Sequence, residues 1–325
     1  MIEIVLSLIF ISSFLFTAIF TPKYMKKASE RGYVVKDMYK RDKPSIPAIG
    51  GLVILASILT SLIVALIGVN ELGIDRINYL LIFYFIVIVF GIFGLADDLF
   101  HIEHKWKIIA PFFLAMLIVV LISDTTIDFY FIKINLGFIY TFIIAPMYIM
   151  VVANLINMHS GYNGLSCGLS YILVSFIMIR VYFEKGLGNI YLLLPVFGSL
   201  LAFLYYNTYP AKIFWGNIGS IMIGAAIGSL LIVNKMEIFG IVILIPHIIN
   251  FLMYIVWKIK GLGDVKFGGL RDDGTLIVPN PWTLKWLFPY YFRLTEHQSM
   301  WILYMLTTFF GLLGIIFIPY HPPFP

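Results

Sequence analysis

Long apolar segments alternate with short polar ones along almost the whole chain. The ten apolar segments lie at about residues 4–20, 48–68, 78–96, 108–122, 139–157, 165–183, 190–206, 218–233, 236–257 and 299–318. About 20 apolar residues in a helix cross the roughly 30 Å hydrocarbon core of a bilayer. A transmembrane β-barrel would instead alternate apolar and polar positions over segments of about ten residues, a pattern that is absent. The pattern therefore predicts an all-α, polytopic membrane protein with about ten transmembrane helices.

The composition supports this fold class. Hydrophobic residues make up 61% of the 325 residues and charged residues only 12%, whereas about a quarter of a typical soluble domain is charged. No soluble domain or low-complexity linker interrupts the pattern, which predicts one integral-membrane domain over residues 1–325.

The positive charges predict the orientation. With residue 1 outside, the cytoplasmic connections are 21–47, 97–107, 158–164, 207–217 and 258–298. They hold 17 of the 22 Lys and Arg residues, as the positive-inside rule requires. Both termini are then outside, in a multi-pass protein of the cell membrane. The net charge of +5 is therefore explained by the cytoplasmic connections of a protein whose partner is the lipid bilayer. It does not indicate nucleic-acid binding.

The outer connections are short, and only 123–138 has room for structure. Its β-prone stretch from Ile127 to Ile134 predicts a small hairpin. The cytoplasmic connections are longer, more polar and richer in Gly and Pro, so we expect the functional site on the cytoplasmic face.

The most informative polar group is the pair Asp97 and Asp98 at the end of the third apolar segment, with Lys107 opening the fourth. Ionised carboxylates are costly in hydrocarbon, and a cation is unfavourable at a helix N-terminus. Two carboxylates with a lysine close by are typical of a site that binds Mg²⁺ together with a phosphate. The alternative is an acidic helix end next to positive-inside lysines.

A second polar group follows the fifth apolar segment. Asn154 and Asn157 share a helix face, and His159, Asn163 and Gly164 follow in a Gly-rich break. The two amides need partners, which are either a ligand or a neighbouring helix. The crowding of polar groups favours a ligand site.

Two further groups allow two interpretations each. In the segment 206–220 the new helix start could bind an anion, but Gly216, Ser220 and Gly224 also form a small-residue packing face, which we favour. In the last connection, Lys266 and Arg271 lie beside glycines and would hold a pyrophosphate or line a solvated turn. For His247 in the ninth segment we expect a buried, hydrogen-bonded side chain.

Taken together, these motifs resemble those of the polyprenyl-phosphate N-acetylhexosamine-1-phosphate transferase superfamily. The matching elements are Gly94-Leu-Ala-Asp97-Asp98 with Lys107, the run from Asn154 to Leu165, Tyr206-Asn207-Thr-Tyr-Pro210, Phe214-Trp-Gly216-Asn217, and Asp37, Lys40 and Ile46 to Gly51. The asparagine run is similar to the eukaryotic version of its motif, which favours GlcNAc as the sugar and a dolichyl carrier. The resemblance covers most of the chain.

The resemblance implies an enzyme that transfers N-acetylhexosamine-1-phosphate from a UDP-sugar to a polyprenyl phosphate and releases UMP. It implies Mg²⁺, with Mn²⁺ as an alternative, bound by Asn157 and Asn217. Catalytic roles fall on Asp97, Asp98 and Lys107. The expected substrate-binding residues are Asn154, Asn163, Gly164, Lys266 and Arg271, with Asn163 contacting either the nucleotide or the loop backbone.

One departure from the family pattern is Asn217, where the family usually has a metal-binding aspartate. This difference keeps open a catalytically silent homologue that binds lipid phosphate or a partner. A secondary transporter would place charges deep within broken or repeated helices, whereas here they lie at one boundary. The sugar, the carrier length, the pathway and the oligomeric state, with a homodimer among the alternatives, are not determined by the sequence.

Overall fold

The protein is predominantly helical, as its computed structural model shows for residues 1–129, 131–263 and 265–320. The α-helices are α1 Ile2–Glu30, α2 Gly51–Ile67, α3 Val69–Leu72, α4 Ile77–Phe100, α5 Trp106–Ala115, α6 Gly137–Ile139, α7 Ala145–Met158, α8 Leu165–Lys185, α9 Leu194–Asn207, α10 Gly216–Val233, α11 Glu237–Ile243, α12 Ile245–Ile259, α13 Leu284–Tyr291 and α14 Glu296–Phe317. The strands are β1 Val34–Lys36, β2 Ser45–Pro47, β3 Thr126–Asp128, β4 Lys133–Asn135, β5 Gly269–Leu270 and β6 Leu276–Ile277.

Helices occupy all ten predicted apolar segments. In the described residues, six helices are long and apolar enough to cross a membrane, and α11 and α12 form a seventh such segment with a 65° bend. Gly51–Ile67, Trp106–Leu121 and Leu194–Asn207 are shorter apolar helices. The all-α polytopic class is therefore confirmed, while the count of ten spans and the outer location of both termini stay predictions.

Helix α10 lies at the centre of the bundle. Every residue from Ile218 to Ile232 is buried. A Cβ on Gly224 would lie 2.6 Å from Ala153 Cα, and one on Gly228 would lie 2.9 Å from Ile149 Cα. Because only glycine allows this approach, α10 packs directly against α7. The packing interpretation of the small-residue face is confirmed.

The outermost helices carry exposed apolar side chains, as expected for surfaces that contact lipid. Along α1 these include Ile4, Leu8 and Leu15, and along α14 they include Met305 and Phe309. An apolar exterior of this kind would be unusual for a water-soluble monomer.

The five connections predicted to be cytoplasmic meet at one end of the bundle. The backbone N–H of Gly50 donates to Phe214 at 2.9 Å, and that of Phe214 donates to Pro47 at 2.8 Å. Asn163 and Asp37 are joined at 3.1 Å. At the other end, β3 and β4 form the predicted antiparallel hairpin, whose residue Tyr130 lies outside the described residues.

Candidate active site

A cavity of about 860 Å³ opens at the end where the five connections meet. Its polar lining includes four predicted site residues, namely Lys107, Asn154, Asn157 and Lys266. Residues from α5, α7, α12 and the last connection all contribute to it, so the cavity exists only in the folded bundle. The sequence-predicted residues therefore divide into a group at the cavity and a group outside its lining.

Asp97 and Lys107 form an ion pair at the cavity edge. Asp97 Oδ2 lies 2.8 Å from Lys107 Nζ, and Asp97 Oδ1 accepts the backbone N–H of Ile102 at 3.0 Å. The Asp97 side chain is 1% exposed and the Lys107 side chain 23%. Apart from the ion pair, Oδ2 has no hydrogen-bond partner in the described residues. The carboxylate therefore holds the Lys107 ammonium group in place.

Asp98 contacts a different element. Its Oδ1 accepts the backbone N–H of Asn217 at 2.8 Å, and its Oδ2 accepts that of Ile218 at 3.0 Å. The start of α10, which the sequence offered as a possible anion site, is thus already capped by this carboxylate. The two adjacent aspartates have separate partners.

The two asparagines of α7 link it to its neighbours. Asn154 Nδ2 donates to the backbone oxygens of Lys107, at 3.1 Å, and Met150, at 2.9 Å. Asn157 Oδ1 accepts from Ser220 Oγ of α10 at 2.7 Å. Both residues also line the cavity, so helix packing and ligand contact are compatible roles here.

Asn163 lies outside the cavity lining and is 2% exposed. Its Nδ2 donates to Asp37 Oδ2 at 3.1 Å, its Oδ1 accepts from the backbone of Ala211 at 2.8 Å, and its N–H donates to Glu296 Oε1 at 2.7 Å. Of its two expected roles, the structure shows the contact with loop backbone. Because it is buried and does not line the cavity, its contact with a nucleotide stays a prediction.

Gly164 also serves the fold. Its φ is +72°, and a Cβ there would lie 2.9 Å from Thr208 Cα. Its carbonyl accepts the Tyr304 hydroxyl at 2.6 Å. Gly164 therefore permits a tight entry into α8, and the substrate contact expected for it stays a prediction.

The basic residues of the last connection separate in space. Lys266 lines the cavity, whereas Arg271 lies in the β5–β6 hairpin, where its Nη1 donates to Leu276 O at 2.5 Å and to Thr275 Oγ1 at 3.3 Å. Arg271 therefore stabilises the turn, as the alternative interpretation of this segment expected. Within the described residues Arg271 does not line the cavity. The pyrophosphate contact expected for it stays a prediction.

The structure adds Lys285, which sequence reasoning did not select. Lys285 lies in α13 and lines the cavity with Lys107 and Lys266. A Cβ on Gly161 would lie 2.5 Å from its Nζ, so the glycine makes room for the ammonium group. Burial, and then the charge of Lys266, lower the pKa of Lys285 from 10.5 to about 8. The sequence signal that could have identified Lys285 is its position as the single cationic residue of the short apolar segment Leu284–Tyr291.

Two buried histidines lie behind the site. The His159 and His247 rings meet edge to face, with centroids 4.6 Å apart. Neither His159 ring nitrogen, nor Nδ1 of His247, has a hydrogen-bond partner in the described residues. His247 is therefore buried as expected, although its Nδ1 lacks the expected bond. Asn250, one turn further along α12, accepts the Leu284 N–H at 3.0 Å and so holds α13.

The donor atoms near the start of α10 fit Mg²⁺. Ser220 ties Asn157 to the first turn of α10, which carries Asn217, and the Asn217 carboxamide has no hydrogen bond within the described residues. Mg²⁺ prefers oxygen ligands and keeps several waters or substrate oxygens. In the described part of the chain, no cluster of three or more His, Cys, Asp or Glu side chains could hold a metal. An ion here would therefore rely on the amide oxygens of Asn157 and Asn217, and on oxygens of water or substrate.

Comparisons with known proteins identify the family of this chain. The sequence profile of glycosyl transferase family 4 matches residues 80–235. The chain is 31% identical over 310 residues to a putative UDP-N-acetylglucosamine–dolichyl-phosphate N-acetylglucosaminephosphotransferase of Saccharolobus solfataricus, covering 94% of both proteins. The chain belongs to glycosyl transferase family 4. The family resemblance inferred from the motifs is thus confirmed.

Two further relatives are similar at comparable levels. A putative glycosyltransferase of Methanocaldococcus jannaschii is 31% identical over 311 residues, with 94% of both chains covered. A phospho-N-acetylmuramoyl-pentapeptide-transferase of Halalkalibacterium halodurans is 28% identical over 336 residues, covering 93% of this chain and 100% of its own. The part of this chain that the family profile matches, residues 80–235, contains the aspartate pair, the asparagine run and Asn217. It ends before Lys266 and Lys285.

Proposed function

We propose that this protein transfers N-acetylhexosamine-1-phosphate, with GlcNAc-1-phosphate as the first choice, from a UDP-sugar to a polyprenyl phosphate such as dolichyl phosphate. The observation that carries the proposal is the convergence of Lys107, Lys266 and Lys285 on one cavity. Neither Lys266 nor Lys285 has a carboxylate partner among the described residues. An ammonium group without a carboxylate partner favours a bound anion, and a pyrophosphate carries the required charge.

In this reaction an oxygen of the lipid phosphate attacks the β-phosphorus of the UDP-sugar. The bond from that phosphorus to the bridging oxygen breaks, and UMP leaves with the electron pair. Catalysis of phosphoryl transfer depends mainly on alignment and charge stabilisation. Lys107, held by Asp97 at 2.8 Å, would contact one phosphate, and Lys266 and Lys285 would contact the pyrophosphate from the opposite wall.

Mg²⁺ is the proposed cofactor, with Mn²⁺ as a substitute. When bound, the ion would neutralise pyrophosphate charge. Asn157 and Asn217 would supply amide oxygens, so the protein itself adds less negative charge than a site with aspartates would. Ser220 orients the Asn157 oxygen by donating to it at 2.7 Å. We therefore expect weak intrinsic metal affinity that improves when the UDP-sugar is present.

The carrier lipid would reach the cavity from the membrane. Ile108, Val151 and Phe251 line the cavity and are also exposed on the bundle surface. They belong to α5 and α7, which lie in the fourth and fifth apolar segments, and to α12. An isoprenoid chain in the bilayer would lie against this wall while its phosphate meets Lys107. We propose that the cavity faces the cytoplasm, and the positive-inside pattern of the sequence supports this orientation.

The test is the transfer of radiolabelled GlcNAc-1-phosphate from UDP-GlcNAc to dolichyl phosphate by purified protein, with and without Mg²⁺. Asp97→Ala and Lys107→Ala should each reduce the rate about 10²–10³-fold, the usual cost of losing a positioned charge at a reacting group. Lys105→Ala is the matched control, because Lys105 is 63% exposed and its carboxylate partner is the similarly exposed Glu103. Its rate should match that of the wild type.

Two outcomes would count against the proposal. Absence of label in lipid with GlcNAc, GalNAc and several carriers would favour the silent homologue instead. Equal activity in EDTA would exclude the metal. Asn217→Asp adds a further measurement, since a large gain in Mg²⁺-dependent turnover would mean that the asparagine weakens the metal site.

A further inference from the structure

Asp98 reaches from the end of α4 to the beginning of α10. Its two carboxylate oxygens each accept one backbone N–H, from Asn217 at 2.8 Å and from Ile218 at 3.0 Å. Helix starts leave such N–H groups without intrahelical partners and carry partial positive charge. Asp98 therefore acts as the N-terminal cap of a helix that is distant in sequence.

Two glycines make this contact possible. A Cβ on Gly94 would lie 2.6 Å from Ile218 Cα and 2.7 Å from Asn217 O, so α4 and α10 touch through their backbones. A Cβ on Gly216, whose φ is +74°, would lie 2.5 Å from Asp98 Oδ2. The local sequence thus brings the carboxylate against the first turn of α10 and leaves no space between them.

The neighbouring aspartate is engaged elsewhere. Asp97 contacts Lys107 and Ile102, whereas Asp98 contacts the residues at the start of α10. The pair therefore joins the base of α5 to the first turn of α10. A shift at either aspartate would change the position of Lys107 relative to Asn217.

We infer that Asp98 is a positioning residue, which orients Asn217 by capping α10, and that it does not contact the reacting phosphates. Each of its oxygens accepts one backbone N–H at the start of α10, and Asp98 does not line the cavity, so we assign it no role in removing a proton from the acceptor. The same bonds occupy N–H groups that a substrate phosphate would otherwise use. The inference rests on the proposed function in one respect, namely that Asn217 binds the metal.

The main test is Asp98→Asn, which keeps the size of the side chain. An amide offers one acceptor oxygen, and its NH₂ group would face the second N–H, so one bond is lost. We expect faster hydrogen exchange at the amides of Asn217 and Ile218. Mn²⁺ affinity, measured by electron paramagnetic resonance, should fall about 10–100-fold, as for other groups that orient metal ligands. The apparent KM for Mg²⁺ should rise, with kcat partly restored at high Mg²⁺.

Gly216→Ala provides a second route to the same contact. Its Cβ would displace the Asp98 carboxylate, so the exchange rates and Mn²⁺ affinity should change in the same direction. Asp97→Asn is the control, and it should leave exchange at Asn217 and Ile218 unchanged. It removes charge from the neighbouring position and keeps the cap.

The outcomes separate this inference from the proposed function. A loss of kcat in Asp98→Asn with unchanged exchange and unchanged Mn²⁺ affinity would overturn the positioning role and assign Asp98 to the chemistry. Lower thermal stability with unchanged Mn²⁺ affinity would also overturn it, since the cap would then be only structural. If the wild type binds Mn²⁺ but transfers no sugar phosphate, the proposed function fails while the exchange and affinity measurements still decide the role of Asp98.

Discussion

Lys285 shows how one residue can acquire its chemistry from its surroundings. It occupies a short helix of the last connection and faces a cavity shared with Lys107 and Lys266. Tyr162 donates its hydroxyl to the Lys285 carbonyl at 2.5 Å, and Gly161 leaves space for the ammonium. Burial and the charge of Lys266 lower its pKa to about 8. An anion in the cavity would stabilise the charged form.

The lowered pKa predicts a pH dependence. Lys285 is protonated below about pH 8, so binding of the UDP-sugar should weaken as the pH rises through that value. In Lys285→Arg the fall should move to higher pH, because arginine stays protonated. Lys285→Gln should lose about 10–100-fold in kcat/KM at pH 7, the range for a hydrogen bond to a charged group.

The measurement is a pH profile of kcat/KM for the UDP-sugar. Lys260→Gln is the control, because Lys260 is exposed beside the same connection and does not line the cavity. If kcat/KM of Lys285→Gln still fell with rising pH as in the wild type, the titrating group would be a residue other than Lys285.

At the scale of elements, the contact between α4 and α10 determines the site. Gly94 allows backbone contact with Asn217 and Ile218, and Gly224 allows the same between α10 and α7. Without these glycines the helices would stand further apart. The aspartate pair, the α7 asparagines and Asn217 would then no longer meet.

Gly94→Ala should separate α4 from α10. The new Cβ would meet backbone atoms at 2.6 and 2.7 Å, and overpacking of this kind costs about 1–3 kcal/mol. Transfer activity should fall together with thermal stability in detergent. Gly91→Ala is the control on the same helix, because its Cβ meets only the flexible side chains of Leu55 and Met222, at 3.2 Å or more. Equal behaviour of the two variants would contradict the close-approach argument.

At the scale of the whole molecule, a buried ionic network holds the connections together. Lys40 Nζ lies 2.5 Å from Glu296 Oε2 and 3.2 Å from Asp37 Oδ2, and Asn163 bonds to both carboxylates. Burial lowers the pKa of Lys40, and the carboxylates of Glu296 and Asp37 outweigh that effect, so that the net pKa is raised. The first connection is thereby joined to α14.

Lys40→Met should leave two buried carboxylates without their cation and destabilise the fold by about 3–5 kcal/mol. A raised lysine pKa means that the stabilisation is fully present below the unfolded pKa and is lost only as the pH rises through the higher folded value. The deficit should therefore be constant between about pH 6 and 9. Thermal unfolding in detergent measures it, with exposed Lys36→Met as control. A deficit no larger than that of Lys36→Met would show that the network contributes little.

Much of the fold and part of the site followed from the sequence alone. Apolar segment length predicted the helices, because the bilayer thickness requires about 20 apolar residues per span. The β-prone residues predicted the outer hairpin. The motifs around Asp97, Asn154 and Asn217 indicated the family, since side-chain chemistry and spacing are properties of the local sequence.

The tertiary structure alone decided which polar groups share a cavity. Lys285 lies more than a hundred residues from Asn157 in the chain, and no local pattern joins them. Only packing reveals that Asp98 caps α10, that Asn163 belongs to the Lys40 network and that Arg271 stabilises a turn. The physical reason is that hydrogen bonds and charges act over a few ångströms in space. Sequence reveals the residues that can form such contacts, and the packing of the helices selects the partners.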